Sequence, residues 1–178
     1  YIKNMNNEDI SHSDSRKEIT ASDIVKSLSS GNKNNCGGLA PCHSIQENLG
    51  ISEYDFAGKK VLLVDDKEMN REVSRELLEL MNLTVEEAGN GEEAVKMFSD
   101  NPDYDIILMD IQMPVMDGFE ATRRIRKLEK GDSIPVIAMT ANAFSEDVKA
   151  SREAGLSDHA SKPLDIKKLG EIIEKWLG

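Results

Sequence analysis

Five short apolar stretches recur along the last two-thirds of the chain and are separated by segments with helical periodicity. Continuous apolar runs occupy 61–64, 106–109 and 135–139, and weaker runs occupy 83–85 and 159–161. Runs of this length without polar interruption are typical of strands that are buried on both faces. The intervening segments carry apolar residues three and four positions apart, which predicts amphipathic helices that pack on those strands.

Helix start and stop signals support this assignment. Asn90 is followed three residues later by Glu93, and Asp117 by Glu120, so both pairs predict an N-cap with a capping box. A further helix, from about residue 145, is predicted to end at Gly155, where glycine favours termination. The first and last helices are predicted to turn inward the residues Met69, Val73, Leu77 and Leu80, and Ile166, Leu169, Ile173 and Trp176.

Strand and helix therefore alternate throughout this region. Such alternation predicts an α/β fold, with a parallel sheet and helices on both of its faces. In sheets of this kind ligands bind beyond the carboxyl ends of the strands. The residues that directly follow each apolar run are therefore the candidates for a functional site.

The front of the chain has a different character. Residues 1–56 are rich in Asn, Ser, Asp, Lys and Gly, and their apolar residues are too sparse to form a core. We predict a polar linker that holds at most one short helix, capped by Ser22, and a single domain over 57–178. The chain opens with Tyr1 rather than Met, so we expect it to be part of a longer protein.

Composition narrows the class of protein. The chain has 31% charged and 39% hydrophobic residues and a net charge of −11, which indicates a soluble globular protein and argues against nucleic acid as a partner. It has neither an apolar run of about 20 residues nor a signal peptide, so we expect no membrane contact and a cytoplasmic location. Cys36 and Cys42 are expected to be free thiols, and together with His43 they lack the fourth ligand of a zinc site.

Polar groups suited to one reaction stand at the strand ends. Asp65 and Asp66 follow the first run, Asp110 closes the third, Thr140 closes the fourth, and Lys162 follows the fifth. Crowded carboxylates repel one another unless a cation lies among them, and no Arg is nearby in sequence. An oxygen-ligand site for a hard divalent ion, Mg²⁺ or Mn²⁺, is therefore predicted. A single Asp would be explained as a helix cap, but five groups at successive strand ends favour a site.

Residues 59–178 resemble a response-regulator receiver domain of two-component systems. The matching segments are Val-Leu-Leu-Val-Asp-Asp66, Asp110-Ile-Gln-Met-Pro-Val-Met-Asp-Gly118, Ala138-Met-Thr-Ala141 and Ser161-Lys-Pro163. The resemblance implies a flavodoxin-like, doubly wound sheet of five parallel strands in the order 2-1-3-4-5. It is greatest with receivers at the carboxyl end of hybrid histidine kinases, and it implies a cis bond before Pro163.

The resemblance also implies roles for the strand-end residues. Asp110 would accept a phosphoryl group from a phosphohistidine on a histidine kinase or a histidine phosphotransfer domain. Asp66 and Asp110 would hold Mg²⁺ together with the backbone carbonyl of Gln112, while Asp65 would act through a bound water. The chain would thus be a phosphoacceptor with self-catalysed transfer and slow autodephosphorylation, and its parent a histidine kinase. Phosphoryl transfer requires such positioning and charge neutralisation.

Further roles concern the phosphorylated state. By the same resemblance, Lys162 would pair with the phosphoryl oxygens, and Thr140 would move inward to bond to them and begin the switch. His159 stands where the family's switch aromatic usually lies, and it is either a switch residue or a half-buried imidazole without a signalling role. Gln112 and Asn142 flank the expected path of water and would tune the lifetime of the phosphoryl group.

Three other kinds of protein share features with this sequence. A stand-alone response regulator would differ only in what precedes Tyr1. A haloacid-dehalogenase-type phosphohydrolase uses an acidic residue two positions after its nucleophile as general acid, where this chain has Gln112. A flavin-binding electron carrier would need a hydroxyl- and Gly-rich phosphate loop after the first strand, where this chain has Asp65 and Asp66. The sequence therefore favours a receiver.

Overall fold

The computed structural model describes residues 54–141 and 147–178. Within these ranges the structure bears on all of the predicted strands and on the helices between them. The predicted helix near Ser22, both cysteines and Asn142 lie outside the described residues.

Strands and helices alternate along the described part of the chain. The strands are β1 (Lys60–Val64), β2 (Thr84–Ala88), β3 (Ile106–Asp110), β4 (Val136–Thr140) and β5 (Asp158–Ser161). The helices are α1 (Glu68–Glu79), α2 (Gly91–Asp100), α3 (Gly118–Ile125), α4 (Asp147–Ala154) and α5 (Ile166–Leu177). The predicted strands are confirmed to within about a residue, except that β2 continues beyond its apolar run into Glu86 and Glu87.

All five strands are parallel and lie in the order β2-β1-β3-β4-β5, which confirms the predicted flavodoxin-like arrangement. Val64 pairs with Met109, and Thr140 pairs with Ser161. The carboxyl ends of β1, β3, β4 and β5 are therefore brought to the same edge of the sheet.

Two apolar cores cover the two faces of the sheet, because successive strand residues point to opposite sides. Leu63 belongs to the core shared with α1 and α5, which supply Leu78 and Ile173. Leu62 belongs to the core on the other face, where α2 supplies Phe98 and α3 supplies Ile125. This alternation explains why the central strands are apolar without interruption.

The predicted N-caps are confirmed. The side chain of Asn90 accepts a hydrogen bond from the amide of Glu93 at 2.9 Å, and Asp117 accepts one from the amide of Glu120 at 2.8 Å. Glu93 in turn accepts from the amide of Gly89 at 2.7 Å, one residue earlier than a standard capping box. Both helices thus begin where the sequence indicates, and α3 starts directly after the loop that follows Asp110.

The predicted inward faces are wrong at Met69 and only partly right at Trp176. Met69 in the first turn of α1 is 76% exposed, and Trp176 in the last turn of α5 is 38% exposed. Periodicity assigns a face to a helix, but the ends of the helix extend past the surface that this face covers.

An aromatic pair ahead of β1 joins the core. Tyr54 and Phe56 are buried, and their rings stack with centroids 6.2 Å apart. Gly170 on α5 leaves room for this packing, since a Cβ there would lie 2.5 Å from the ring of Tyr54. Core packing therefore includes residues just before position 57, and the boundary of the linker near that position stays a prediction.

Candidate functional site

Three carboxylates meet at the carboxyl edge of the sheet. Asp65 and Asp66 follow β1, and Asp110 is the last residue of β3. One oxygen from each lies within 4.8 Å of the others, because β1 and β3 are neighbouring strands whose ends are level. The side chains predicted as metal ligands are thus brought together.

The ammonium group of Lys162 lies between two of these carboxylates. Its Nζ is 2.6 Å from Asp65 Oδ2 and 2.6 Å from Asp110 Oδ2. Lys162 follows β5, its amide donates to the carbonyl of Thr140 at 2.8 Å, and the expected cis peptide joins it to Pro163. Three ionised carboxylates and one ammonium leave about two negative charges uncompensated, so the residues present fit a divalent cation.

The two adjacent acids differ in their hydrogen bonding. Asp65 is 1% exposed, and its carboxylate accepts from the amide of Lys67 at 2.9 Å, from Asn70 Nδ2 at 3.2 and 3.3 Å, and from Lys162. The carboxylate of Asp66 is half-buried and has no hydrogen-bond partner among the described residues. The lone pairs of Asp66 are therefore available to a cation, whereas those of Asp65 are largely used by the protein.

The loop after Asp110 is tightly folded. The amide of Gln112 donates to Asp110 Oδ1 at 3.1 Å, while the side chain of Gln112 is exposed. The amide of Gly118 donates to the carbonyl of Ile111 at 3.1 Å, and a Cβ on Gly118 would lie 2.3 Å from the carbonyl oxygen of Asp110. Only glycine fits there, so the loop returns directly over the end of β3.

The remaining predicted residues lie beside this cluster. Thr140 ends β4, is buried, and adjoins Lys162 through the backbone bond already described. His159 lies in β5, half-buried, and its Nε2 is 2.8 Å from Ser151 Oγ on α4. The imidazole therefore links the strand to the helix beside it. Asn142 lies outside the described residues.

Two residues at the site were missed by the sequence reasoning. Asn70 contacts the carboxylate of Asp65, and Arg71 Nη1 donates to the backbone carbonyl of Asp65 at 2.8 Å. An arginine therefore does lie beside the acids, and it contacts the backbone carbonyl of Asp65 and the carboxylate of Glu87. Both residues precede the buried positions of α1, and only their polar character in its first turn could have drawn attention to them.

Comparison with known proteins identifies the family. Residues 61–174 match the sequence model of the response regulator receiver domain. This match covers well over half of the chain, and it coincides with the region that contains the sheet and the acidic cluster. The chain therefore belongs to the response regulator receiver family, and the matched region is the receiver domain of a two-component phosphorelay.

Relatives of two kinds share this domain. Two-component response regulator ORR41 of Oryza sativa subsp. japonica is 48% identical over 120 residues, which is 66% of this chain and 93% of that protein. Hybrid signal transduction histidine kinase I of Dictyostelium discoideum is 35% identical over 150 residues, which is 81% of this chain but 9% of that protein. The chain is thus homologous to receivers of hybrid histidine kinases and spans only a small part of such a kinase.

Solved receiver structures have the same fold. The receiver domain of sensor histidine kinase PA1611 from Pseudomonas aeruginosa, with a magnesium ion in its active-site cleft, has a TM-score of 0.63 at 38% identity over 67% of this chain and 98% of its own. The receiver domain of Ssk1 from Saccharomyces cerevisiae, crystallised with the histidine phosphotransfer protein Ypd1, has a TM-score of 0.63 at 28% identity over 68% of this chain and 90% of its own.

Within the described residues, no helix combines the length and the apolar character that crossing a bilayer requires.

Proposed function

We propose that Asp110 accepts a phosphoryl group from a phosphohistidine in a reaction that depends on Mg²⁺, or on Mn²⁺ in its place. The observation that carries this proposal is the clustering of Asp65, Asp66 and Asp110 around one edge, with the ammonium of Lys162 2.6 Å from Asp110. Phosphoryl transfer requires a nucleophile and positive charge close to it. A carboxylate beside a cation site and an ammonium group meets both requirements.

The oxygens that are available to bind a cation indicate which residues are the metal ligands. Asp66 and Asp110 would hold the ion together with the backbone carbonyl of Gln112. Asp65 would act through a bound water, because its own lone pairs already accept from Lys67, Asn70 and Lys162. When bound, the ion would neutralise charge on the transferring phosphoryl oxygens.

The chain's own groups account for the transfer. A carboxylate oxygen of Asp110 attacks the phosphorus atom, the bond from phosphorus to the imidazole nitrogen breaks, and the imidazole keeps the electron pair. An acyl phosphate remains on Asp110. Lys162 already contacts Asp110. Its ammonium group is a compact point charge and can form an ion pair with the new phosphoryl oxygens. The hydroxyl of Thr140 would then bond to one of those oxygens.

The later steps involve the residues around the cluster. Thr140 moving inward would begin the conformational switch, and His159, linked to α4 through Ser151, would take part in it. Gln112 and Asn142 would tune the lifetime of the acyl phosphate. The exposed side chain of Gln112, two residues beyond Asp110, supports that role for it.

The donor is a histidine kinase or a histidine phosphotransfer domain. The co-crystal of the Ssk1 receiver with Ypd1 supports a donor of the second type. The similarity to hybrid histidine kinases supports a parent protein of that kind. A stand-alone response regulator is the second candidate, because the match to ORR41 covers 93% of that protein.

Phosphorylation of the full chain by acetyl phosphate with Mg²⁺ tests this proposal. We expect one phosphoryl group to be incorporated, as measured by intact-protein mass spectrometry, and Asp110→Asn to abolish incorporation. Asp117→Asn is the matched control, because it makes the same change in the same loop and asparagine still caps α3. Beryllofluoride with Mg²⁺ should likewise perturb the unmodified protein and not Asp110→Asn. Equal incorporation in Asp110→Asn and the unmodified protein would overturn the assignment.

A further inference from the structure

Arg71 joins the acidic turn after β1 to the edge strand β2. Its Nη1 donates to the backbone carbonyl of Asp65 at 2.8 Å, and its Nε lies 3.3 Å from Glu87 Oε2. The side chain of Arg71 is only 18% exposed. The guanidinium group thus bridges two fixed points, a strand carboxylate and a loop carbonyl.

The carbonyl of Asp65, which accepts this hydrogen bond, lies where the pairing between β1 and β2 ends. The amide of Asp65 still donates to the carbonyl of Ala88 at 3.2 Å, so the backbone pairing with β2 ends at this residue. The carbonyl of Asp65 belongs to the peptide group that it shares with the nitrogen of Asp66. A hydrogen bond from Arg71 to this carbonyl therefore fixes the plane of the peptide that joins the two acids.

The orientation of the Asp66 side chain depends on this peptide more than that of the Asp65 side chain does. The carboxylate of Asp65 is held by side-chain and backbone donors, including both contacts from Asn70. The carboxylate of Asp66 has no such partner among residues 54–141 and 147–178. The backbone therefore sets the direction of its Cα–Cβ bond, and with it the region that the carboxylate can reach.

We propose that Arg71 is a positioning residue for the metal site, which acts through the Asp65 carbonyl to aim Asp66 at the cation. This inference rests on the proposed function, since it assumes that Asp66 is a metal ligand. Groups that orient the ligands of a metal commonly determine its affinity.

The direction of the change in Mg²⁺ affinity distinguishes a positioning role of Arg71 from an effect of its charge. A guanidinium near the site repels a divalent cation, and a cationic residue near a helix N-terminus also opposes the helix dipole. If Arg71 acted only through its charge, its removal would strengthen Mg²⁺ binding. If it positions Asp66, its removal weakens Mg²⁺ binding in spite of the lost repulsion.

The experiment compares Arg71→Met with Arg75→Met in the full chain. Arg75 lies on the same helix and pairs with the same carboxylate, Glu87 Oε1 at 3.2 Å, but within residues 54–141 and 147–178 it makes no hydrogen bond to Asp65. Both variants lose one positive charge and the ion pair with Glu87, and Arg75→Met also loses a longer ion pair with Glu79 Oε1 at 3.9 Å. Isothermal titration with MgCl₂ should show a dissociation constant about 10-fold higher for Arg71→Met, at the lower end of the effects known for outer-shell groups. Arg75→Met should show an unchanged or lower constant.

Two further measurements complete the test. Arg71→Lys keeps the charge but cannot hold both contacts, so we expect an intermediate constant, and this variant decides the question if Arg71→Met does not fold. Binding by Arg71→Met or Arg71→Lys that is as tight as in the unmodified protein would overturn the positioning role and leave the proposed function intact. Absence of Mg²⁺ binding in the unmodified protein would instead overturn both.

Discussion

Asp158 shows how a single side chain ties the last strand to the last helix. It accepts hydrogen bonds from Lys175 Nζ at 2.7 Å, from Trp176 Nε1 at 3.2 Å and from the amide of His159 at 2.9 Å. Partial burial acts to raise the pKa of Asp158, but these donors outweigh burial and the pKa lies below its ordinary value. The folded protein therefore holds this carboxylate in its charged form more strongly than the unfolded chain does.

This lowered pKa predicts a contribution of Asp158 to acid stability. Because the folded pKa is below the unfolded value of about 3.9, the contribution is present above that value and is lost as pH falls through the folded pKa. Unfolding by urea, followed by circular dichroism between pH 6 and pH 3, should show a shallower loss of stability for Asp158→Asn than for the unmodified protein.

The partner residue supplies the control. Lys175→Met removes one of the two side-chain donors to Asp158 Oδ2, so its stability profile should shift towards that of Asp158→Asn, and the double variant should show less change than the sum of the two single variants. Additive effects of the two substitutions would mean that the contact between them does not lower the pKa.

At the same scale, the sequence predicts some site residues and not others. Asp65, Asp110 and Lys162 could be singled out because each follows an apolar run, and the register of a parallel sheet brings strand ends together. Asn70 and Arg71 could not, because their contacts depend on how α1 leans over the end of β1. A helix side chain carries no sequence signal that it donates to a loop carbonyl.

Between elements, Gly118 joins the start of α3 to the end of β3. A Cβ at this position would lie 2.3 Å from the Asp110 carbonyl oxygen and 3.0 Å from Ile111 Cα, both of which are backbone atoms that cannot yield cheaply. The helix α3 and the strand β3 thus approach as closely as their backbones allow.

Gly118→Ala should therefore displace the loop that follows Asp110. We expect about 2 kcal/mol of destabilisation, as for an overpacked core, together with weaker Mg²⁺ binding in calorimetric titration. Gly58→Ala is the control, because Gly58 has φ of 83° and open space around it, ahead of β1 and away from the site. That variant should lose stability through backbone strain but bind Mg²⁺ normally. Unchanged Mg²⁺ binding by Gly118→Ala would contradict the expectation.

The same scale shows where periodicity succeeds. The strands β1, β3 and β4 are buried along almost their whole length, so continuous apolar runs predict their positions in the sequence. β2 lies at the edge of the sheet and carries half-buried Glu86 and Glu87, so its apolar run covers only its beginning. Strands in the middle of the sheet are therefore easier to predict from the sequence than a strand at its edge.

Across the whole molecule, the aromatic pair ahead of β1 should contribute to stability. Phe56 is 9% exposed and its amide donates to the carbonyl of Met81 at 3.0 Å. Phe56→Ala in the full chain should cost about 3 kcal/mol of unfolding free energy in urea, as for other buried aromatic residues. Met69→Ala, at a position that is 76% exposed, should cost under about 0.5 kcal/mol. Similar losses in the two variants would show that Phe56 is not part of the core.

The packing of Tyr54 against Gly170 also fixes where the polypeptide enters. Gly178 lies eight residues beyond Gly170, which is roughly 12 Å along α5 at 1.5 Å per residue. The segment before β1 and the carboxyl end of α5 therefore pack against the same core, on one face of the sheet. A unit with adjacent ends can be inserted as a cassette within a larger polypeptide without forcing its flanking segments apart.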